Sequence, residues 1–110
     1  MFVRVARFEG IDTSKVDEQV GEMKRQIDAT RAGDVPPEMA EFVEKMQGVV
    51  KRFYQLVDRQ NGVTVGMTIC ETEEDVRTAD SVLNEMTPPE GSGRRTSVEL
   101  YEVVLDEAFE

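Results

Sequence analysis

Phe53-Tyr54-Gln55-Leu56-Val57-Asp58-Arg59-Gln60-Asn61-Gly62-Val63-Thr64-Val65-Gly66-Met67-Thr68-Ile69-Cys70-Glu71 is the stretch on which the fold turns. Two runs rich in β-branched and aromatic residues flank Arg59-Gln60-Asn61-Gly62. Asn-Gly tolerates the positive φ that tight hairpin turns demand, so the pattern predicts strands from Val49 to Asp58 and from Val63 to Glu71. The second strand alternates with period two. Val63, Val65, Met67 and Ile69 share one face, and Thr64, Gly66, Thr68 and Cys70 share the other. A face this small and this faintly polar lets something approach closely, whether packed helices or a facing sheet, or it leaves a hollow beside the sheet.

Upstream of the hairpin, residues 1 to 9 are β-branched and aromatic and are closed by Gly10, which predicts a first strand. Asp12, Thr13 and Ser14 are candidate N-caps for a helix whose apolar stripe is Val16, Val20, Met23 and Ile27, stopped by Gly33. Pro36-Pro37 opens a second, short helix with Met39, Phe42, Val43 and Met46 on one face and Gly48 at its end. Downstream, Thr72 and Asp75 have the spacing of a capping box, and Val76, Ala79, Val82, Leu83 and Met86 continue a helical stripe up to Pro88-Pro89. A Gly- and Pro-rich loop then leads to a last strand from Thr96 to Leu105. The order strand, helix, strand, strand, helix, strand, with one extra short helix, predicts an α+β ferredoxin-like antiparallel sheet, β-α-β-β-α-β, filling one domain over residues 1–110.

Helices connected this way cover one face of a four-stranded sheet, and a wet second face would alternate toward charge. Here Val3 and Val5 oppose Phe2, Ala6 and Phe8, while Phe53 and Val57 oppose Val50, Tyr54 and Leu56. Both faces are apolar, which calls for a second cover. A second copy of the chain, giving a homodimer, is the expected one; the alternative is that residues 33 to 48 fold over the open face.

Composition narrows the chemistry. The chain carries 13 Lys plus Arg against 23 Asp plus Glu, a net charge of −10, and its basic pairs have acidic neighbours, so nucleic acid and anionic membranes are not expected partners. A single cysteine, no recognisable leader and no apolar run near membrane length suggest a cytoplasmic protein. Histidine is absent, which removes the commonest general base, metal ligand and partner of a nucleophile.

The run from Phe53 to Asp75 resembles the central hairpin and helix entry of antibiotic-biosynthesis-monooxygenase-like proteins, a family of dimeric α/β barrels: Leu56-Val57-Asp58, the Asn61-Gly62 turn, and a strand leading into Glu71-Thr72-Glu73-Glu74-Asp75. The resemblance implies a homodimer whose two sheets face each other, with a cavity for a small apolar or aromatic ligand between each sheet and its own helices. It also implies cofactor-independent oxygenation of an aromatic or polyketide-like molecule, or a non-catalytic binding or interaction module on the same scaffold. Cys70 stands where the family usually has tryptophan. Haem-degrading relatives use an Asn of the first strand with a Trp and a His after the hairpin; residues 1 to 9 hold no Asn, and the chain holds no Trp or His.

Oxygenation without a cofactor needs a phenol or enol shielded from water, an acceptor for its proton and donors for the resulting anion. Tyr54, Arg52 and Arg4 are the candidates for catalysis. Thr68, Cys70, Met23 and Tyr101 are the candidates for lining the ligand pocket. Each has a plainer expectation: Arg and Tyr on sheets usually make ion pairs and satisfied hydroxyls, methionines fill cores, and a free cysteine behaves as a small buried hydrophobe. A strand-end cysteine near a helix N-terminus is alternatively a reactive thiol. Glu71, Glu73, Glu74 and Asp75 complement the dipole of the helix they open and lack metal-ligand spacing, so no metal is expected.

Overall fold

The computed structural model describes residues 1–110. Its strands are β1 (Phe2–Glu9), β2 (Val50–Asp58), β3 (Val63–Cys70) and β4 (Arg94–Glu102), and its α-helices are α1 (Val16–Arg31), α2 (Ala40–Met46) and α3 (Glu73–Asn84). Short 3-10 turns at Thr13–Lys15 and Pro37–Met39 lead into α1 and α2. The four strands form one antiparallel sheet in the order β2-β3-β1-β4, an arrangement compatible with a ferredoxin-like α+β fold.

Local chemistry explains the element ends. The Asp12 carboxylate accepts from Ser14 N at 3.1 Å at the entry to the first 3-10 turn, and Thr72 Oγ1 accepts from Asp75 N at 3.1 Å at the start of α3. The hairpin closes through a four-residue loop in which Gly62 alone adopts a positive φ, +66°. Asn61 keeps a negative φ and is held by the Asp58 carboxylate, which accepts from both its backbone N and its Nδ2. Asn-Gly therefore works here as an Asx-held loop ending in a left-handed glycine.

Register sorts the side chains. Arg4 pairs with Thr68 and Leu100, Phe2 with Cys70, and Phe53 with Thr68, so these residues share one face. That face carries α3: Cys70, Val76 and Ala79 form the fully buried cluster, and Phe2, Met46, Val49, Val50 and Leu100 pack around it. Simple alternation along β2 places Val50 with Tyr54 and Leu56. Instead, the irregularity between Val50 and Arg52 leaves Lys51 as an extra residue and turns Val50 to the α3 side with Phe53 and Val57.

The small face of β3 thus looks at helices and at Phe53, whose ring would lie 3.6 Å from a Cβ placed on Gly66. Met46 and Val49 bring the 33–48 segment to the same side, with α2 against α3, so this segment does not cover the other face.

No helix packs on that other face, which holds Val3, Val5, Val65, Met67 and Ile69 at its centre with Tyr54, Leu56 and Tyr101 on the edge strands. Neighbouring side chains bury Val3 and half-bury the other central residues, and the three edge residues are exposed. Only 9 of 110 residues are buried, and the accessible surface is 7950 Å². A folded monomer of 12.4 kDa should expose roughly 6100 Å², so about 1800 Å² stands in excess. The radius of gyration, 14.5 Å, also exceeds the roughly 13 Å expected at this length. No helix is long and apolar enough to cross a membrane.

Candidate functional site

The sheet divides the candidate residues into two groups. Arg4, Thr68 and Cys70 lie on the α3 side, and Tyr54, Arg52 and Tyr101 lie on the open side. Met23 sits on α1, with its side chain still exposed. Tyr54 and Arg52 therefore do not meet Arg4 in one cavity. The backbone of the sheet stands between them.

On the α3 side, Arg4 is 5% exposed although it is charged. Its Nε donates to Asp80 Oδ1 at 2.9 Å and its Nη2 donates to Asn84 Oδ1 at 2.9 Å, both groups presented by α3 one turn apart. Asn84 Oδ1 also accepts from Arg95 Nη1 at 3.0 Å, which ties the start of β4 into the same group. The guanidinium thus docks α3 on the sheet. Thr68, its cross-strand neighbour, is 2% exposed.

Cys70 is fully buried in the apolar cluster, and burial, followed by the Asp75 charge, pushes its thiol up from its ordinary value. A thiol held in its neutral form is a poor nucleophile. Here burial outweighs any help from the nearby helix N-terminus, since Asp75 in that first turn acts against ionisation. At the head of α3, the Glu73 carboxylate is engaged locally, taking two bonds from Arg77 at 3.1 and 2.8 Å.

On the open side, the Arg52 guanidinium lies 5.5 Å above the Tyr54 ring, a cation–π arrangement. Tyr101 OH donates to the Glu99 carboxylate two residues away, and that bond raises the phenol's pKa. This opposes the formation of a phenolate.

Two surface depressions are lined by polar and charged residues and include none of the seven candidate residues. One runs along α3 between Glu73, Arg77 and Ser81, and the other lies between Lys15, Gln19 and Glu90. Apolar surface is left open elsewhere, between α1 and the outer half of the sheet. The α1 stripe residues Val20, Met23 and Ile27 remain exposed, as do Phe53 and Val57 on the helix-bearing side of β2. Only Val16, at the start of α1, is buried, and Asp17 pins that end to the hairpin through Arg59 Nη2 at 2.8 Å.

Sequence reasoning missed Asp80 and Asn84 as the partners of Arg4. Both sit on the polar flank of α3, 76 and 80 residues from Arg4, where ordinary solvated polar residues are expected. No family model matches the chain, and no curated protein matches it.

Proposed function

We propose that the protein works as a homodimer of the dimeric α/β-barrel type, formed by two copies packing their open sheet faces together, and that it is a non-catalytic small-ligand-binding module. The observation that carries this reading is the uncovered apolar sheet face in a protomer that exposes about 1800 Å² more surface than its mass warrants. Stable homodimers bury this kind of surface, apolar at the centre and charged at the rim; here Arg7, Glu9, Asp58 and Glu99 supply the rim. The ligand in this reading is a small apolar or aromatic molecule, held between the α1 stripe and Phe53, Val57 and Gly66. Val20, Met23, Ile27, Phe53 and Val57 are exposed in the protomer, and methionine side chains adapt to irregular shapes.

The test is sedimentation equilibrium in dilute solution, on the wild type and on Leu56→Asp. The wild type is expected at twice the chain mass. Leu56→Asp places an unpaired charge in the interface and is expected to sediment as a folded single chain. A wild type that is monomeric and well folded at all concentrations would sink the proposal.

A second reading, cofactor-independent oxygenation within the same family type, rests on one observation: Arg4 is a buried cation beside Thr68 beneath the helices. In that chemistry the substrate supplies the electrons, one oxygen atom of O₂ enters the product and the other leaves as water. Arg4 would have to stabilise the substrate anion while held by Asp80 and Asn84, and Tyr54 and Arg52 on the far face would take no direct part. Oxygen uptake with phenolic substrates that is lost in Arg4→Met but retained in Tyr54→Phe and Arg52→Ala would establish this reading. Absence of uptake with every phenol would leave the binding module.

A further inference from the structure

We propose that Asn61 is a site of spontaneous deamidation, that the Asp58 carboxylate sets its pace, and that its conversion loosens the attachment of the β2–β3 loop to the start of α1. The inference depends on neither the dimer nor the ligand.

The reaction uses groups that are adjacent in the chain. The Gly62 backbone nitrogen gives its proton to a base in solvent and attacks Asn61 Cγ. The N–Cγ bond forms, the Cγ–Nδ2 bond breaks and ammonia leaves, closing a five-membered imide. Water then opens the ring at either carbonyl carbon. The product is an aspartate at position 61, or an isoaspartate whose main chain runs through the former side chain. No electron is gained or lost.

The chain has two asparagines, and the structure treats them oppositely. Asn61 is exposed in the β2–β3 loop. Gly62 has no side chain to screen its nitrogen, and its N–H donates to no backbone carbonyl, so no ladder bond has to open before it reacts. Asn84 is the last residue of α3. The nitrogen that follows it, on Glu85, donates to Val82 O at 3.3 Å, and Asn84 Oδ1 accepts from both Arg4 and Arg95. Helical backbone turns that nitrogen back along the helix, away from the Asn84 side chain. Asn61 is therefore the reactive one.

Asp58 works against the reaction. Its Oδ1 accepts from Asn61 N at 3.1 Å and its Oδ2 accepts from Asn61 Nδ2 at 2.8 Å, which restrains the amide. The side-chain bond first, and the backbone bond after it, hold the Asp58 carboxyl below its ordinary value, so it is charged at neutral pH. Attack places negative charge on Gly62 N and then on Asn61 Oδ1, beside that carboxylate, and the repulsion raises the barrier.

Conversion replaces the Nδ2 donor with a second carboxylate facing Asp58, and the isoaspartate also lengthens the main chain just before Gly62. Two contacts lead from this loop to the start of α1. Gly62 O accepts from Ile11 N at 3.2 Å, and Arg59 Nη2 donates to Asp17 at 2.8 Å. Both depend on the shape that Asp58 and Asn61 give the loop.

The test follows tryptic peptides by mass spectrometry, for the exchange of NH2 for OH, while the protein stands at mildly alkaline pH. Conversion is expected at Asn61 and not at Asn84, and more slowly in the folded chain than in guanidinium chloride. Asp58→Ala is expected to convert roughly fivefold faster, the rate equivalent of the about 1 kcal/mol between unit charges about 4 Å apart in water. The converted chain, separated by anion exchange through its added negative charge, is expected to show faster amide hydrogen exchange at residues 11–17. Asn61→Asp, which carries the charge without the longer backbone, is expected to show a smaller rise. A folded chain that keeps Asn61 intact while the unfolded chain converts it, or that converts Asn84 equally fast, would overturn the site. Conversion no faster in Asp58→Ala than in the wild type would overturn the role of Asp58, and unchanged exchange at residues 11–17 in the converted chain would overturn the loosening.

Discussion

The Arg4–Asp80 contact makes the sharpest stability prediction, because its two partners are unequally buried: the side chains are 6% and 27% exposed respectively. Asp80→Asn keeps the shape of the α3 side chain but removes the one carboxylate paired with a guanidinium that water barely reaches. Breaking a fully buried pair from one side costs about 3–5 kcal/mol. Partial hydration at Asp80 and the bond that Asn84 continues to accept lower the expected cost to about 2–3 kcal/mol, or a fall in Tm of about 8–12 °C at this chain length.

Arg4→Met removes the more deeply buried charge and leaves Asp80, which water reaches, so it is expected to cost less, about 1–2 kcal/mol. The double variant, Arg4→Met with Asp80→Leu, should recover to within about 1 kcal/mol of the wild type. Urea unfolding followed by circular dichroism, at one fixed protomer concentration so that association does not shift the midpoint, measures all three. A greater cost for Arg4→Met than for Asp80→Asn, or a double variant as unstable as the two single losses added together, would refute the reasoning.

The glycines separate backbone strain from helix propensity. Gly62→Ala meets only ordinary contact with the Ile11 backbone at 3.7 Å but must hold φ +66°, so it is expected to destabilise by about 1–2 kcal/mol. Gly21→Ala, inside α1 with open space around it, should stabilise by about 0.5–1 kcal/mol, read as a higher urea midpoint. Thr72→Ala removes the bond to Asp75 N that starts α3 and should cost about 1 kcal/mol in the same assay. The Cys70 thiol should react with an aromatic disulfide reagent only as fast as the protein opens, and rapidly in denaturant. Because its folded pKa is raised, the folded state holds the proton longer, so this group's contribution is fully present below the unfolded thiol pKa, roughly 8.5, and is lost as pH rises above it. A midpoint in urea that rises between pH 8 and pH 10 in the wild type but not in Cys70→Ala would contradict this sign.

Local and periodic features of this protein were set by its sequence alone. The caps at Asp12 and Thr72, the hairpin around Asn61-Gly62, the two-faced alternation of β3 and the apolar stripes of the helices depend on residues within a few positions of one another. Alternation sorts a strand's side chains into two sets. It does not say which set of one strand joins which set of the next, since that depends on register between distant segments. Only the tertiary structure therefore placed Arg4 with Thr68 and Cys70 and put Tyr54, Arg52 and Tyr101 on the opposite side. The same holds for Val50, whose face was reversed by one extra residue in β2, and for Arg4 and Asp80, which meet across 76 residues because α3 crosses the sheet above β1.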